Sequence, residues 1–193
     1  MSETGTASGL LTELQQRGAI LDGHFRLSSG RHSNRFVQKF RVLEDPVLVE
    51  RVARAIVDRV RPLKPTIVVS AAVGGIVLGY ECARQLGTFG VFVEKESGTA
   101  TLRRGFVVGP DDRVLVVEDV VTTGLSVREV LDVVRARGAS ISAVALIVAR
   151  AQVDFGVPTI ALLDLPTVSY AADACPQCKA GEPLTEPGSR FIA

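Results

Sequence analysis

Val114-Leu115-Val116-Val117-Glu118-Asp119-Val120-Val121-Thr122-Thr123-Gly124-Leu125-Ser126 is the stretch that decides the fold. Its first four residues are apolar without interruption, as in a strand buried on both faces rather than one that alternates between core and solvent. The strand delivers two adjacent carboxylates at its carboxyl end. A Thr-Thr-Gly-x-Ser loop then leads into an amphipathic helix over 126–137, with Val127, Val130, Leu131 and Val134 inward and Gly138 as its stop. A strand buried on both sides needs a layer of helices on each side, and strand–loop–helix is the repeating unit of a parallel sheet.

The same alternation extends outward. Downstream, Ile141 to Val148 and Pro158 to Leu163 read as strands. Upstream, Thr66-Ile67-Val68-Val69-Ser70 is a short apolar strand, followed by a helix from Gly74 to Leu86 and a strand at Val91-Phe92-Val93. The helix is apolar nearly all round, which predicts burial on every side. Asp45-Pro46 supplies an N-cap and a proline at the first helical position, opening a helix to about Arg61 that Pro62 and Pro65 end. Residues 94–107 are charged, contain Gly98 and Gly105, and predict an exposed hairpin or mobile loop. Near the start, 1–9 read as loose, 9–18 as a short helix and 24–42 as short strands or a loop; the last 30 residues, rich in Pro, Gly and Cys, read as irregular. The expected fold class is α/β, a parallel-sheet Rossmann-like core with helices on both faces. By length the chain is one full-sized domain with a decorated end. In such sheets ligands bind at the carboxyl ends of the strands.

Composition narrows the class. With 193 residues, 47% apolar and 22% charged, the chain is an ordinary globular one, long enough to bury a core without disulfides or structural metal. A net charge of +1 offers no excess of positive charge for nucleic acid. No apolar run approaches the ~20 residues a membrane span requires. Met1-Ser2-Glu3-Thr4-Gly5 has neither a basic n-region nor an apolar h-region. Three cysteines make no disulfide framework. The expectation is a cytoplasmic protein with neither nucleic acid nor membrane as partner.

The chemistry lies in the quoted stretch. Backbone N–H groups at a helix N-terminus, with Thr and Ser hydroxyls beside them, make a monophosphate cradle, and Gly124 lets the backbone approach the anion. Adjacent carboxylates accept hydrogen bonds from a vicinal diol. Diol and phosphate in one small ligand suggest a ribose 5-phosphate. The simpler explanation, acids capping a helix after a turn, leaves most of the string unexplained, and neither GxxxxGK[ST] nor GxGxxG after a strand is present.

The string closely resembles the phosphoribosyl pyrophosphate signature of the type I phosphoribosyltransferases. The resemblance implies the type I phosphoribosyltransferase fold, a single domain over 1–193 with a core of about 45–165 and a small hood from about 10–42 and 165–193, with Glu118, Asp119, Val120, Val121, Thr122, Thr123, Gly124, Leu125 and Ser126 binding the donor and Asp119 catalytic. Leu125 departs from a position that is often small in the family. Ser70-Ala71-Ala72-Val73-Gly74-Gly75 looks like the family's pyrophosphate loop, placing Val73 and Gly74 at the donor. Glu94 to Gly105 occupies the place of the mobile catalytic loop, in which Lys95 aligns with a donor-binding, catalytic lysine. That loop is shorter here, without a further lysine and histidine, and the lysines that better-known bacterial enzymes carry at the positions of Ser28 and Gly74 are missing.

Gly23 to Gln38 looks like the base-binding segment of orotate phosphoribosyltransferases. Cys175-Pro176-Gln177-Cys178 with Pro187-Gly188-Ser189-Arg190 is similar to one bacterial branch of them. By that resemblance Thr122 and Arg150 touch orotate, Mg²⁺ is required and the assembly is a homodimer. An arginine at a strand end suits the orotate carboxylate. A purine phosphoribosyltransferase and a non-catalytic sensor of phosphoribosyl pyrophosphate remain alternatives. Cys175 and Cys178 have CxxC spacing, but no second pair follows, and His24 and His32 are remote in sequence. The expectation is a structural or incidental thiol pair, a site shared across a dimer being the alternative, and no dedicated protein ligand for a metal. Cys82 reads as core.

Overall fold

In chain order the elements are α1 (Glu3–Gln16), β1 (Ile20–Arg26), β2 (His32–Val37), α2 (Phe40–Leu43), α3 (Pro46–Val60), β3 (Ile67–Ala71), α4 (Gly74–Leu86), β4 (Phe89–Glu96) and β5 (Thr99–Leu102). They continue with β6 (Arg113–Val121), α5 (Leu125–Arg135), β7 (Ser140–Ala149), β8 (Thr159–Asp164), β9 (Ser169–Tyr170) and α6 (Pro176–Lys179). The computed structural model describes residues 3–27 and 29–187; Ser28 and Gly188-Ser189-Arg190, quoted above, lie outside them. The chain divides into two compact units, Leu43–Leu165 and the pair of segments Met1–Val42 and Pro166–Ala193.

The unit 43–165 is built on a six-stranded sheet in the order β5-β4-β3-β6-β7-β8. Every neighbouring pair is parallel except the β4–β5 hairpin. The continuous apolar runs of β3, β6 and β7 fall at its centre, where both faces are covered. On one face Val68 and Ser70 lie under α4. Gly79 makes that approach possible, because a Cβ there would stand 2.9 Å from Ser70 Oγ. On the other face Ile67, Val69, Val114, Val116, Val144 and Leu146 pack with Val127, Val130, Leu131 and Val134 of α5. The crossover after β3 runs to β4 on one side and that after β6 runs to β7 on the other, so the order reverses between β3 and β6. That reversal is where open α/β sheets bind ligands. Asp45 caps α3 as expected, its Oδ1 accepting from Val47 N at 2.9 Å and Leu48 N at 3.2 Å.

Two elements of this unit differ from expectation, whereas the hairpin, one of the two forms expected of residues 94–107, is present. The α4 helix is buried on one face only: Val73 before it and Val77 and Tyr80 on it are exposed, Tyr80 to 69%. An all-apolar helix reads as fully buried because sequence does not distinguish a core face from a surface left for a partner. The β6 strand continues past the acids to Val121, since β7 still pairs with it there. Residues 94–102 are a tight hairpin turning on Ser97 and Gly98, both at positive φ (49° and 84°), as a two-residue hairpin turn demands. Its charges pair locally, Arg103 with Glu96 at 3.2 Å and Arg104 with Glu94 at 2.9 Å.

In the other unit, β1, β2 and β9 form an antiparallel sheet, with a bulge in β1 between Asp22 and Phe25. The α1 helix begins at Glu3, well before the expected residue 9. The histidines are not remote from the cysteines. His24 on β1, His32 on β2, and Cys175 and Cys178 around α6 each offer a ligating atom, all within 4.8 Å of one another. Spacing in sequence says nothing about strands paired across about 140 residues, and the expectation of a structural or incidental thiol pair takes no account of the two histidines for that reason.

Candidate active site

The acid pair sits where β6 loses one neighbour and keeps the other. The β3–β6 ladder ends at Ser70↔Val117, whereas β6 still pairs with β7 at Glu118↔Leu146 and Val120↔Val148. Glu118 and Asp119 therefore emerge beside the turn that joins β3 to α4. Both are buried, Asp119 to 1% exposure. Glu118 Oε1 accepts from Asp119 N at 3.1 Å and Asp119 Oδ1 from Val120 N at 2.6 Å, which fixes the carboxylates against their own strand. Two adjacent carboxylates held out of water are costly unless they serve a ligand that brings donors or cations.

Beyond them Thr122 and Thr123 are exposed and Gly124 is buried with φ +77°. Its fit is tight on two counts. L side chains rarely adopt that backbone conformation, and a Cβ there would lie 2.8 Å from Val153 Cγ1 and 2.9 Å from Phe155 Cε1. Gly124 is also the N-cap residue of α5 and has no side chain with which to cap it. The Leu125 N–H donates to Thr123 Oγ1 at 3.4 Å, and the first-turn amides and the positive end of the helix dipole lie at this point, an arrangement suited to an anion. Leu125 is 60% exposed, so the departure from a small residue leaves the backbone of the loop intact.

The β3–α4 turn is a second candidate anion cradle. Val73 precedes α4, which likewise has no side-chain cap, and Gly74 and Gly75 are buried. Gly75 faces the acid pair closely: a Cβ would lie 3.2 Å from Val117 O and 3.4 Å from Glu118 Oε1. The peptide bond between Ala72 and Val73 is cis. Gly75 belongs to the quoted loop but Gly79 lies outside it, although three glycines on one helix, at 74, 75 and 79, are a readable sign of close backbone approach.

Arg150 follows β7, and its N–H donates to Val121 O at 2.8 Å, which places it at the same end of the sheet as the loop 122–126. Burial lowers its guanidinium from the ordinary arginine value without threatening its charge. Lys95, near the end of β4, donates to Glu129 Oε1 on α5 at 2.8 Å. The lysine is thus tied to the helix whose N-terminus follows the acid pair. Arg128 on the same helix donates to Asp154 O at 2.9 Å and lies 5.4 Å from the centre of the Phe155 ring, bracing the wall behind Gly124. The structure so brings Glu118 to Ser126, Val73, Gly74, Arg150 and Lys95 to one edge of one sheet.

The phosphoribosyl transferase domain family matches residues 41–155, more than half of the chain and the part that carries every one of these groups. The chain belongs to the phosphoribosyltransferase family. This phosphoribosyltransferase is 48% identical over 189 residues to the orotate phosphoribosyltransferase of Pelotomaculum thermopropionicum, a match covering 97% of the chain and 100% of that relative. It is 51% identical over 176 residues to the orotate phosphoribosyltransferase of Heliobacterium modesticaldum, covering 89% of the chain and 92% of the relative. Among solved structures, the orotate phosphoribosyltransferase from Aeropyrum pernix superposes with a TM-score of 0.68 at 27% identity, over 81% of this chain and 93% of that one. The expected type I phosphoribosyltransferase fold is the one observed.

Proposed function

We propose that this phosphoribosyltransferase joins orotate to the 5-phosphoribosyl group of phosphoribosyl pyrophosphate, giving orotidine 5′-monophosphate and pyrophosphate for pyrimidine nucleotide synthesis. The observation that carries the reading is the buried pair Glu118-Asp119 followed closely by the N-terminus of α5, whose cap position is a glycine, on a chain whose near-full-length relatives bear that name. In this reading N1 of orotate bonds to C1 of the ribose. The bond from C1 to the pyrophosphate oxygen breaks, its electron pair leaves on pyrophosphate, and the N1 proton passes to solvent.

The protein orients and stabilises charge rather than forming bonds. Glu118 and Asp119 accept from the ribose hydroxyls and stand near the positive character that develops at C1. The loop 122–126, which Val120 and Val121 lead into from β6, holds the 5-phosphate through backbone N–H groups and the hydroxyls of Thr122, Thr123 and Ser126. Val73 and Gly74 offer backbone N–H groups to pyrophosphate. Lys95, released from Glu129, adds a cation to the leaving group. Arg150 grips the orotate carboxylate, with Thr122 beside the base. The donor set also fits magnesium, since carboxylate oxygens and a polyanionic substrate are the hard ligands it takes. When bound, Mg²⁺ supplies charge neutralisation between the donor and the acids.

Self-association as a homodimer is supported by the exposed apolar row Val73, Val77 and Tyr80 with Phe89 at the start of β4, Phe89 being 82% exposed. The cytoplasm suits three free cysteines, two of them buried. Among the described residues no helix is long and apolar enough to cross a membrane.

The test is to mix purified protein with orotate, phosphoribosyl pyrophosphate and Mg²⁺ and follow orotate absorbance. Loss that needs all three additions and vanishes in Asp119→Asn supports the reading. Turnover of a purine in place of orotate, or donor binding without turnover of any base, overturns it.

A further inference from the structure

His24, His32, Cys175 and Cys178 form a cluster that the transfer reaction does not use. It lies entirely within the unit made of the two chain ends. His24 Nε2 lies 3.1 Å from His32 Nδ1, 3.5 Å from Cys175 Sγ and 3.6 Å from Cys178 Sγ, and Cys178 Sγ lies 3.2 Å from His32 Nδ1. Tetrahedral zinc, with bonds of ~2.3 Å to sulfur and ~2.0–2.1 Å to nitrogen, places two nitrogens ~3.3 Å apart and a nitrogen and a sulfur ~3.6 Å apart. The four recorded separations are therefore edges of such a tetrahedron to within a few tenths of an ångström.

Three further observations agree. First, His24 Nδ1 is 3.0 Å from the carbonyl oxygen of Glu182. A carbonyl only accepts, so Nδ1 carries the proton and Nε2 turns its lone pair into the cluster; a backbone carbonyl holding the far nitrogen of a metal-bound imidazole is the usual outer support. Second, the strand that carries His24 is clamped: Thr185 N donates to His24 O at 2.8 Å and Arg26 N donates to Thr185 O at 2.9 Å. The turn that carries the cysteines is fastened to the same strand, Gln177 Nε2 donating to Gly23 O at 3.2 Å. Third, three of the four residues are buried, His24 and His32 to 4% exposure and Cys175 to 0%. Two thiolates, two neutral imidazoles and one Zn²⁺ sum to zero charge, the combination a buried site tolerates best.

We propose that these four side chains bind one structural zinc ion, which ties β1 and β2 to the C-terminal turn. The assignment of zinc follows from softness and count: two thiolates and two imidazoles select zinc over magnesium or calcium, and four protein ligands leave no open position for chemistry. Binding converts both thiols to thiolates and releases two protons to solvent. The site also answers a need, because among its described residues this unit buries few large apolar side chains, chiefly Leu14, Ile20 and Phe25. Units with small cores gain most from a metal staple.

The full chain, produced with zinc in the medium and purified without chelator, is to be analysed for metal by mass spectrometry. About one zinc per chain is expected, falling at least about tenfold in Cys178→Ser and in His32→Ala. Because a variant can fail to fold, the wild-type protein carries a second readout. Stripped under reducing conditions and titrated with Co²⁺, it is to show the visible bands of tetrahedral cobalt and a thiolate-to-cobalt charge-transfer band, both lost when Zn²⁺ is added. Sub-stoichiometric zinc together with no cobalt spectrum overturns the proposal. So does undiminished zinc in folded Cys178→Ser, or a Cys175–Cys178 disulfide in protein purified with zinc and without oxidant.

Discussion

Gly124→Ala tests the phosphate loop with the least chemical change available. The alanine keeps every polar group and adds one methyl carbon. Two costs follow from the geometry. At φ +77° an L-residue is about 1–2 kcal/mol worse than glycine. The new carbon would stand 2.8 Å from Val153 and 2.9 Å from Phe155, so the β6–α5 turn must shift against a packed wall, at about 1–3 kcal/mol. Together these predict a loss of about 2–5 kcal/mol, or roughly 4–20 °C in Tm for a chain of this size. The shift displaces the first amides of α5, so KM for phosphoribosyl pyrophosphate rises at least about tenfold, a misplacement effect of the kind positioning contacts show. Gly138→Ala is the matched control. Its φ is +76°, but the nearest atom to a Cβ is Pro110 Cγ at 3.4 Å, and it lies beyond the opposite end of α5. It is to lose the backbone term alone, with KM unchanged. Thermal unfolding by circular dichroism and initial-rate kinetics read both. Equal melting losses in the two variants, or an unchanged donor KM in Gly124→Ala, would refute the reasoning.

Further expectations concern other groups. Asp119→Asn lowers kcat/KM by roughly 10²–10³ in initial-rate assays with its melting temperature nearly kept, since it removes charge at the reacting centre and little packing. Arg150→Ala raises the KM for orotate at least about tenfold while leaving the donor KM within about twofold, the pattern of a lost bidentate carboxylate grip. Asp45→Ala removes the cap of α3 and costs about 1 kcal/mol, read as a fall in Tm with kinetics unchanged. Burial pushes the Cys82 thiol up to about 12, so at pH 8 iodoacetamide labels it only after unfolding. Because the folded value lies above the unfolded one, its contribution to stability is whole below the unfolded value. That contribution declines as pH rises from there toward 12, so alkaline melts run progressively lower.

Much of the sheet was legible because it is buried on both faces. The runs at 67–69, 114–117 and 143–148 leave no alternation to misread, and Asp45-Pro46 states its own helix start. The loop 118–126 was legible because several residue types must occur together in fixed order. What stayed hidden depends on partners distant in the chain. β6 runs through two acids because β7 continues beside it, which no local pattern reveals. The apolar circumference of α4 predicted burial that its own unit supplies on one side alone. The approach of His24 and His32 to Cys175 and Cys178 rests on the registers of β1 with β2 and β2 with β9, and on the backbone bonds of Thr185. None of these leaves a mark in the spacing of the four residues.

The pairing of β2 with β9 joins residues 32–33 to residues 169–170. The unit that begins the polypeptide is therefore closed by its end. During synthesis the segment 43–165 has all its strands before the final ones are made, while the first 42 residues must wait for β9 and the cysteine turn to leave the ribosome. A chain that stops short of residue 166 keeps every group of the candidate active site and loses the third strand of the other sheet. Premature termination is then to yield a protein with an intact donor site and an open, unpaired β2 edge, the kind of edge that invites aggregation and quality-control proteases.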